Sequence, residues 1–165
     1  TYYLAALFGI MLGVVLDQGT KYLAIIKLKG QSPYVLWEGV FQLEYLENRG
    51  AAFGLFQNQR IFFILSVALI VIAVLWFYAK VPMTKHFFPL RVCAVFVMSG
   101  AIGNFIDRLR LNYVVDFLYF KLINFPVFNV ADIYVTVAAF SFFLLLFLYY
   151  KEEDLEQIFH SRKRK

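Results

Sequence analysis

The chain has 165 residues, of which 62% are hydrophobic and 16% are charged, and its mean hydropathy is +0.69. A soluble domain is nearer half apolar and about a quarter charged, so this composition excludes an ordinary soluble domain and predicts a membrane protein. The net charge is +5, but many of the basic residues lie in a C-terminal tail that also carries Glu152, Glu153, Asp154 and Glu156. That distribution is typical of a topology signal or a contact with membrane lipids, and we expect no nucleic-acid partner.

Four apolar blocks are long enough to cross a bilayer, which takes roughly 20 helical residues. They cover residues 4–26, 61–79, 87–109 and 133–150. The first block is too long for a cleaved signal peptide and carries Asp17 and Lys21 late in its length, so we interpret it as a retained span. Because the chain opens at Thr1 without Met, we expect a few natural residues to precede it. The four spans predict one compact membrane domain over 1–165.

The distribution of basic residues predicts that both termini are cytoplasmic. The short loop after the second span carries Lys80 and Lys85, and the tail 151–165 adds five more basic residues. By the positive-inside tendency these two segments lie inside, and segments 27–60 and 110–131 lie outside. In the outer segments, apolar Phe41, Leu43 and Tyr45 alternate with polar residues, which is typical of a strand. We therefore expect four helices with a small β-rich cap on the outer face.

The polar residues of the spans concentrate at the predicted outer end. Ionisable groups inside a membrane are costly, so they are candidates for function by default. The candidates are Asp17, Lys21, Asn48, Arg49, Asn104, Asp107, Arg108, Asp116 and Asp132. Their convergence predicts a site for a substrate embedded in the membrane.

Each cluster also has a purely structural interpretation. Asp17 and Lys21, four residues apart on one helical face, form either a simple ion pair or a support for the site. Gly100 and Gly103 favour close helix packing. Asp132 could be only an N-cap of the fourth helix, where a negative charge is favoured.

Asp116 is harder to interpret structurally, because it lies between Val115 and Phe117 in an apolar run where an idle carboxylate would be costly. Two carboxylates brought together over 16 residues would suit aspartic-peptidase chemistry. The single Cys93 is expected to be a buried apolar residue, and His86 and His160 fall at the other membrane face. We therefore expect no metal site, thiol site or nucleotide cofactor.

At these residues the chain resembles the bacterial lipoprotein signal peptidases (signal peptidase II) along nearly its whole length. The matching motifs are Asp17-Gln-Gly-Thr-Lys21, Asn48-Arg-Gly-Ala-Ala-Phe-Gly54, Gly100-Ala-Ile-Gly-Asn-Phe-Ile-Asp-Arg108, Val114-Val-Asp-Phe117 and Phe128-Asn-Val-Ala-Asp132. Each motif alone is weakly specific, whereas five in this order on a four-span chain are highly specific.

The resemblance implies cleavage of diacylglyceryl-modified prolipoproteins just before the lipid-bearing cysteine, in the bacterial cytoplasmic membrane with the active site at the outer face. It implies that Asp116 and Asp132 are catalytic. It places substrate binding or site support at Asp17, Lys21, Asn48, Gly50, Asn104, Arg108 and Asn129, whereas we interpret Asp107 as structural. We expect a monomer that contacts membrane lipids.

The expected chemistry is peptide hydrolysis by an activated water molecule. Two close carboxylates cannot both ionise cheaply, so they share one proton. We expect Asp132, at a helix N-terminus, to carry the charge and Asp116 the proton. Two alternatives remain at this point: a small proton-coupled transporter, which should carry polar residues through the full membrane thickness, and a scaffold subunit without chemistry.

Overall fold

The computed structural model describes residues 2–50 and 60–159. Its helices are α1 (Tyr2–Leu28), α2 (Arg60–Lys80), α3 (Phe88–Leu111), α4 (Val130–Leu148) and α5 (Glu152–Phe159), and its strands are β1 (Tyr34–Trp37), β2 (Phe41–Asn48) and β3 (Val114–Phe120). A short 3-10 helix covers Lys121–Ile123. Residues 51–54 of the second motif, His160 and the basic tip 162–165 lie outside the described residues.

The prediction of four apolar helices of membrane-spanning length is confirmed for α1, α2, α3 and α4. Even α4, with 19 residues, is about 28 Å long at 1.5 Å per residue, close to the thickness of a hydrocarbon core. The apolar window of α2 has no buried residue. A helix that is apolar all round and still exposed is suited to lipid contact.

The third helix is central, because α3 contacts α1, α2 and α4. Small residues permit the close approach. A Cβ added at Gly13 of α1 would lie 2.6 Å from Ser99 Oγ, and one at Gly100 would lie 2.5 Å from the carbonyl oxygen of Ala131 in α4. The structural interpretation of Gly100 therefore holds, since a side chain there would push α3 and α4 apart.

The expected β-rich cap is a three-stranded antiparallel sheet with the order β1-β2-β3. Asn112 ends α3 in the left-handed region, with a φ of 65°, and the chain enters β3 two residues later. The strands pack against α1 through Ala24, Val115 and Phe117. The sheet therefore lies at one end of the helices, which we call the sheet end. The alternation in β2 does not place every polar residue on the exposed side, because Gln42 is buried and donates to Glu44 at 2.7 Å.

The opposite end has a core of its own that the sequence interpretation missed. The helix α5 follows α4 after a short turn, and Ile158 packs with Val81, Phe87 and Leu90. The tail thus begins with a helix, although it was interpreted only as a polar extension. Its acidic residues and its isolated apolar positions, including Ile158, were the available signal of an amphipathic turn.

Candidate active site

Asp116 lies in the middle of β3 and is 1% exposed. In the register of β2 with β3, Asp116 faces Leu46 and Asn48 faces Val114, so Asn48 is the diagonal neighbour of Asp116 across the two strands. Asn48 Nδ2 donates to Asp116 Oδ2 at 2.8 Å. Asp116 is therefore a buried strand residue whose carboxylate has a hydrogen-bond partner.

Asp132 belongs to the first turn of α4, which begins three residues earlier than predicted. The N-cap is Asn129, and Asp132 occupies the third helical position of a capping box. The Asp132 amide donates to Asn129 Oδ1, and the Asn129 amide donates to Asp132 Oδ2, both at 3.1 Å. Asp132 is therefore not the N-cap itself, and its carboxylate closes the reciprocal bond of the capping box.

A return of the chain onto β3 brings these two elements together. The amide of Phe128 donates to the carbonyl of Leu118 at 2.9 Å, and its own carbonyl accepts from the amides of Phe117 and Leu118. These bonds close the excursion after β3, so α4 starts beside Asp116. Asp116 and Asp132 are therefore far apart in the sequence but near each other in the structure.

Two asparagines connect the two carboxylates. Asn129 Nδ2 donates to Asp116 Oδ1 at 2.6 Å and to Asn104 Oδ1 at 3.1 Å. Asn104 Nδ2 in turn donates to Asp132 Oδ1 at 3.0 Å. The predicted residues Asn104, Asn129, Asp116 and Asp132 thus belong to one hydrogen-bond network.

Burial raises the pKa of Asp116 to about 7, and the nearby charge of Asp132 acts in the same direction. Hydrogen bonds from Asn48 and Asn129 and the charge of Lys21 oppose this shift without cancelling it. A carboxyl group with such a pKa can hold a proton near neutral pH and release it during a reaction.

Asp17 and Lys21 lie behind this network. Lys21 Nζ is 3.0 Å from Asp17 Oδ2 and 3.0 Å from Asp107 Oδ2, and it also donates to Asn104 Oδ1 at 2.8 Å. The two interpretations of Asp17 and Lys21 are therefore compatible, because the ion pair itself contacts a residue of the site. Asp107 also belongs to this cluster of buried charges, because it is the second carboxylate that Lys21 contacts.

Arg108 and Gly50 border the same site. Arg108 Nη2 approaches the carbonyl oxygen of Gly50 at 3.4 Å, and the guanidinium lies 4.4 Å from the centre of the Phe63 ring. The amide of Gly50 donates to Asn48 Oδ1 at 3.1 Å. These contacts leave the guanidinium at the cavity with weak protein hydrogen bonds.

The residues around the two aspartates line a cavity of about 850 Å³. One part of its wall is polar, with Asn48, Asn104 and Arg108, and another part is apolar, with Ile133 and Val137. The loop before α4 adds a second apolar stretch that the sequence interpretation did not include. Its members are Phe125, Pro126, Val127 and Phe128.

Gln18 was also missed, although it contacts Asp17, Asp107 and the backbone of α3. Its place beside Asp17 in the first matching motif was the available signal. Among residues 2–50 and 60–159, no group of three or more His, Cys, Asp or Glu is arranged to hold a metal ion.

The comparisons with known proteins agree with one another. The family model described as signal peptidase (SPase) II matches residues 9–148. A lipoprotein signal peptidase of Clostridium tetani is 39% identical over 148 residues, which is 88% of this chain and 91% of that protein. One from Symbiobacterium thermophilum is 44% identical over 141 residues, with 84% and 91% covered.

Two solved structures, both described as bacterial membrane enzymes, have a similar fold. One superposes with a TM-score of 0.76 at 24% identity and covers 98% of this chain and 93% of its own. The other has a TM-score of 0.75 at 26% identity, with 88% and 94% covered. The family match spans most of the chain, so this chain belongs to the signal peptidase II family and is a multi-pass membrane peptidase.

Proposed function

We propose that this chain removes signal peptides from diacylglyceryl-modified prolipoproteins by cleaving before the lipidated cysteine, with Asp116 and Asp132 as its catalytic pair. The observation that carries the proposal is the shared network: Asn129 bonds to both carboxylates, and both line one cavity. Family membership supports the reaction class, and the network supports the two-aspartate mechanism.

In the proposed reaction, Asp132 carries the negative charge and accepts a proton from water. Its position in the first turn of α4 and the hydrogen bond from Asn104 both stabilise that charge. The resulting hydroxide adds to the scissile carbonyl carbon, and the carbon–nitrogen bond then breaks. The products are the signal peptide with a new carboxylate and the mature protein with its lipidated cysteine at the N-terminus.

Asp116 supplies the proton that the leaving amine needs. Its raised pKa, caused first by burial and then by the charge of Asp132, leaves about half of this carboxyl protonated at pH 7, and the protonated form can donate to the leaving amine. The proton that Asp132 took from water restores the pair. The dyad begins and ends with one shared proton, and the proposed chemistry uses no metal or nucleotide cofactor.

The cavity wall supports a division of the substrate into two parts. Asn48 and Arg108 line the cavity, and their N–H groups can hold carbonyl oxygens of an extended peptide. The apolar part of the cavity wall, which includes Phe125, Ile133 and Val137, can contact acyl chains or the apolar part of the signal peptide. The exposed apolar faces of the helices would contact membrane lipids, and the proposed enzyme is a monomer.

The proposed orientation places the sheet end at the outer face of the bacterial cytoplasmic membrane, with both termini in the cytoplasm. It rests on Lys80 at the end of α2, on Lys85 between α2 and α3, and on the basic tail. A substrate anchored by its acyl chains in the outer leaflet would then reach the cavity from the membrane surface.

The activity is tested with purified protein in detergent and two matched prolipoprotein substrates, one with a diacylglyceryl-modified cysteine and one with the unmodified cysteine. We expect cleavage of the modified substrate on the N-terminal side of the cysteine, identified by mass spectrometry. Equal cleavage of the unmodified substrate would contradict the proposed substrate class, and no cleavage of either by folded protein would contradict the proposed activity.

A further inference from the structure

A buried cluster of charges connects α1 and α3 directly behind the candidate active site. The side chains of Lys21, Asp17 and Asp107 are 2%, 0% and 4% exposed, and the ammonium group contacts both carboxylates at 3.0 Å. Removing three charges from water is costly unless further bonds compensate. The two carboxylates therefore need hydrogen-bond donors in addition to Lys21.

Each carboxylate accepts a hydrogen bond from a backbone amide next to one of the two site aspartates. Asp17 Oδ1 accepts from the amide of Ala131 at 3.0 Å, and Asp107 Oδ2 accepts from the amide of Val115 at 3.1 Å. Ala131 immediately precedes Asp132, and Val115 immediately precedes Asp116. Two separate elements, β3 and the start of α4, are thus attached to one ionic cluster at equivalent positions.

Gln18 closes the cluster on the side of α3. Its Nε2 lies 3.1 Å from Asp17 Oδ2, 2.9 Å from Asp107 Oδ1 and 3.1 Å from the carbonyl oxygen of Gly103. Gly103 itself permits the contact, because a Cβ there would overlap Asp17 Oδ2. The amide therefore connects both carboxylates to each other and to the backbone of α3.

Lys21 adds a direct connection to the site. Its ammonium group can only donate hydrogen bonds, so it contacts the oxygen and not the nitrogen of the Asn104 side-chain amide, at 2.8 Å. With Oδ1 facing Lys21, the Nδ2 group faces Asp132. The cation thereby fixes which end of the Asn104 amide faces the Asp132 carboxylate.

We propose that Gln18, Asp17, Lys21 and Asp107 form a positioning frame that sets the separation and orientation of Asp116 and Asp132. The frame acts through the Ala131 and Val115 amides and through Asn104, and none of its members reacts with the substrate. Gln18 and Asp107 are the two members of the frame to which the family resemblance gave no site role. This inference rests on the proposed two-aspartate mechanism.

A positioning role differs from simple stabilisation in its kinetic effect. Misplacing reacting groups by about 1 Å can cost about 100-fold in rate, whereas loss of stability alone lowers the amount of folded enzyme. A positioning frame should therefore change kcat and leave KM nearly unchanged, since substrate contacts on the cavity wall remain.

The test compares Gln18→Leu and Asp107→Asn with Thr20→Val as the matched control. Thr20 lies one half-turn beyond Gln18 on α1 and is also half-buried, and its hydroxyl donates to the backbone carbonyl of Asp17 at 2.8 Å. The lipidated substrate is used at several concentrations, and the melting temperature of each purified variant is measured in the same detergent.

We expect kcat to fall about tenfold in Gln18→Leu and about 100-fold in Asp107→Asn, with KM within about twofold of wild type. Thr20→Val should keep wild-type kcat even if its melting temperature falls. If Asp107→Asn does not fold, Gln18→Leu decides the question alone. Wild-type kcat in folded Gln18→Leu would overturn the frame, whereas an inactive wild type would instead overturn the proposed function.

Discussion

At the scale of single residues, the surroundings of Asp116 set its protonation. It is buried on β3 among apolar neighbours, and burial together with the charge of Asp132 raises its pKa to about 7. The apolar residues on both sides of Asp116 made this burial predictable from the sequence. The partners Asn48 and Asn129 were assigned by resemblance, because the strand register and the helix cap that place them are properties of the fold.

The raised pKa predicts a descending limb in the pH profile. The proposed mechanism needs Asp116 protonated, and the proton is lost as the pH rises through about 7. We therefore expect kcat to decline above that pH, by about tenfold per unit once the group is fully ionised. The measurement is kcat from pH 5 to 9 at saturating lipidated substrate. Circular dichroism over the same range controls for unfolding, and a kcat that keeps rising to pH 9 in folded protein would contradict this assignment.

Asn129 has two separable functions, so two substitutions should have different effects. Its Oδ1 caps α4, and its Nδ2 donates to Asp116. Serine retains an N-cap acceptor, so Asn129→Ser should lose about 100-fold in kcat and little stability. Asn129→Ala should lose the activity and also about 1 kcal/mol of stability. Thermal unfolding and kcat of both variants distinguish the two functions. Equal activity of Asn129→Ser and wild type would remove Nδ2 from the mechanism.

At the scale of elements, the sequence predicted the four spanning helices well because their apolar runs are long. It was less accurate at α4, which starts at Val130 and not at residue 133. The run of apolar residues begins after Asp132, but the helix begins where Asn129 can cap it. Capping depends on a few polar atoms near the helix end, so hydropathy does not locate it.

Helix packing gives a prediction with an internal control. Gly100 meets the Ala131 carbonyl oxygen, whereas Gly19 in α1 has no neighbour within 4 Å of an added Cβ. Gly100→Ala should destabilise the protein by about 1–3 kcal/mol, since the overlap separates α3 from the start of α4. Gly19→Ala should be neutral or stabilise α1 by up to about 1 kcal/mol. Thermal unfolding of both proteins in one detergent measures the difference. Equal effects of the two substitutions would mean that α3 and α4 are not held at this close contact.

At the scale of the whole molecule, polar and charged side chains converge at the sheet end. In the proposed orientation this end lies at the outer membrane face, where a substrate anchored in the outer leaflet would reach the cavity. The sequence predicted this end from the positions of Asp17, Asn104, Asp107 and Asp132. It did not predict α5, because an eight-residue helix after the last span has too few residues for a clear periodic signal.

The orientation is tested by labelling intact cells with a membrane-impermeant thiol reagent. Glu38 lies in the exposed turn between β1 and β2, and Lys85 is exposed between α2 and α3. We expect labelling of Glu38→Cys in intact cells and of Lys85→Cys only after permeabilisation. The wild type, whose single Cys93 is buried, serves as the unlabelled control. The reverse pattern would invert the proposed topology.

The measurement that tests the central claim most directly is cleavage of a diacylglyceryl-modified prolipoprotein by wild type, Asp116→Asn and Asp132→Asn, each purified and shown to be folded. The two-aspartate mechanism predicts cleavage before the modified cysteine by wild type and a loss of at least about 1,000-fold in each variant. Substantial activity in either folded variant would contradict the claim that Asp116 and Asp132 act together on the scissile peptide bond.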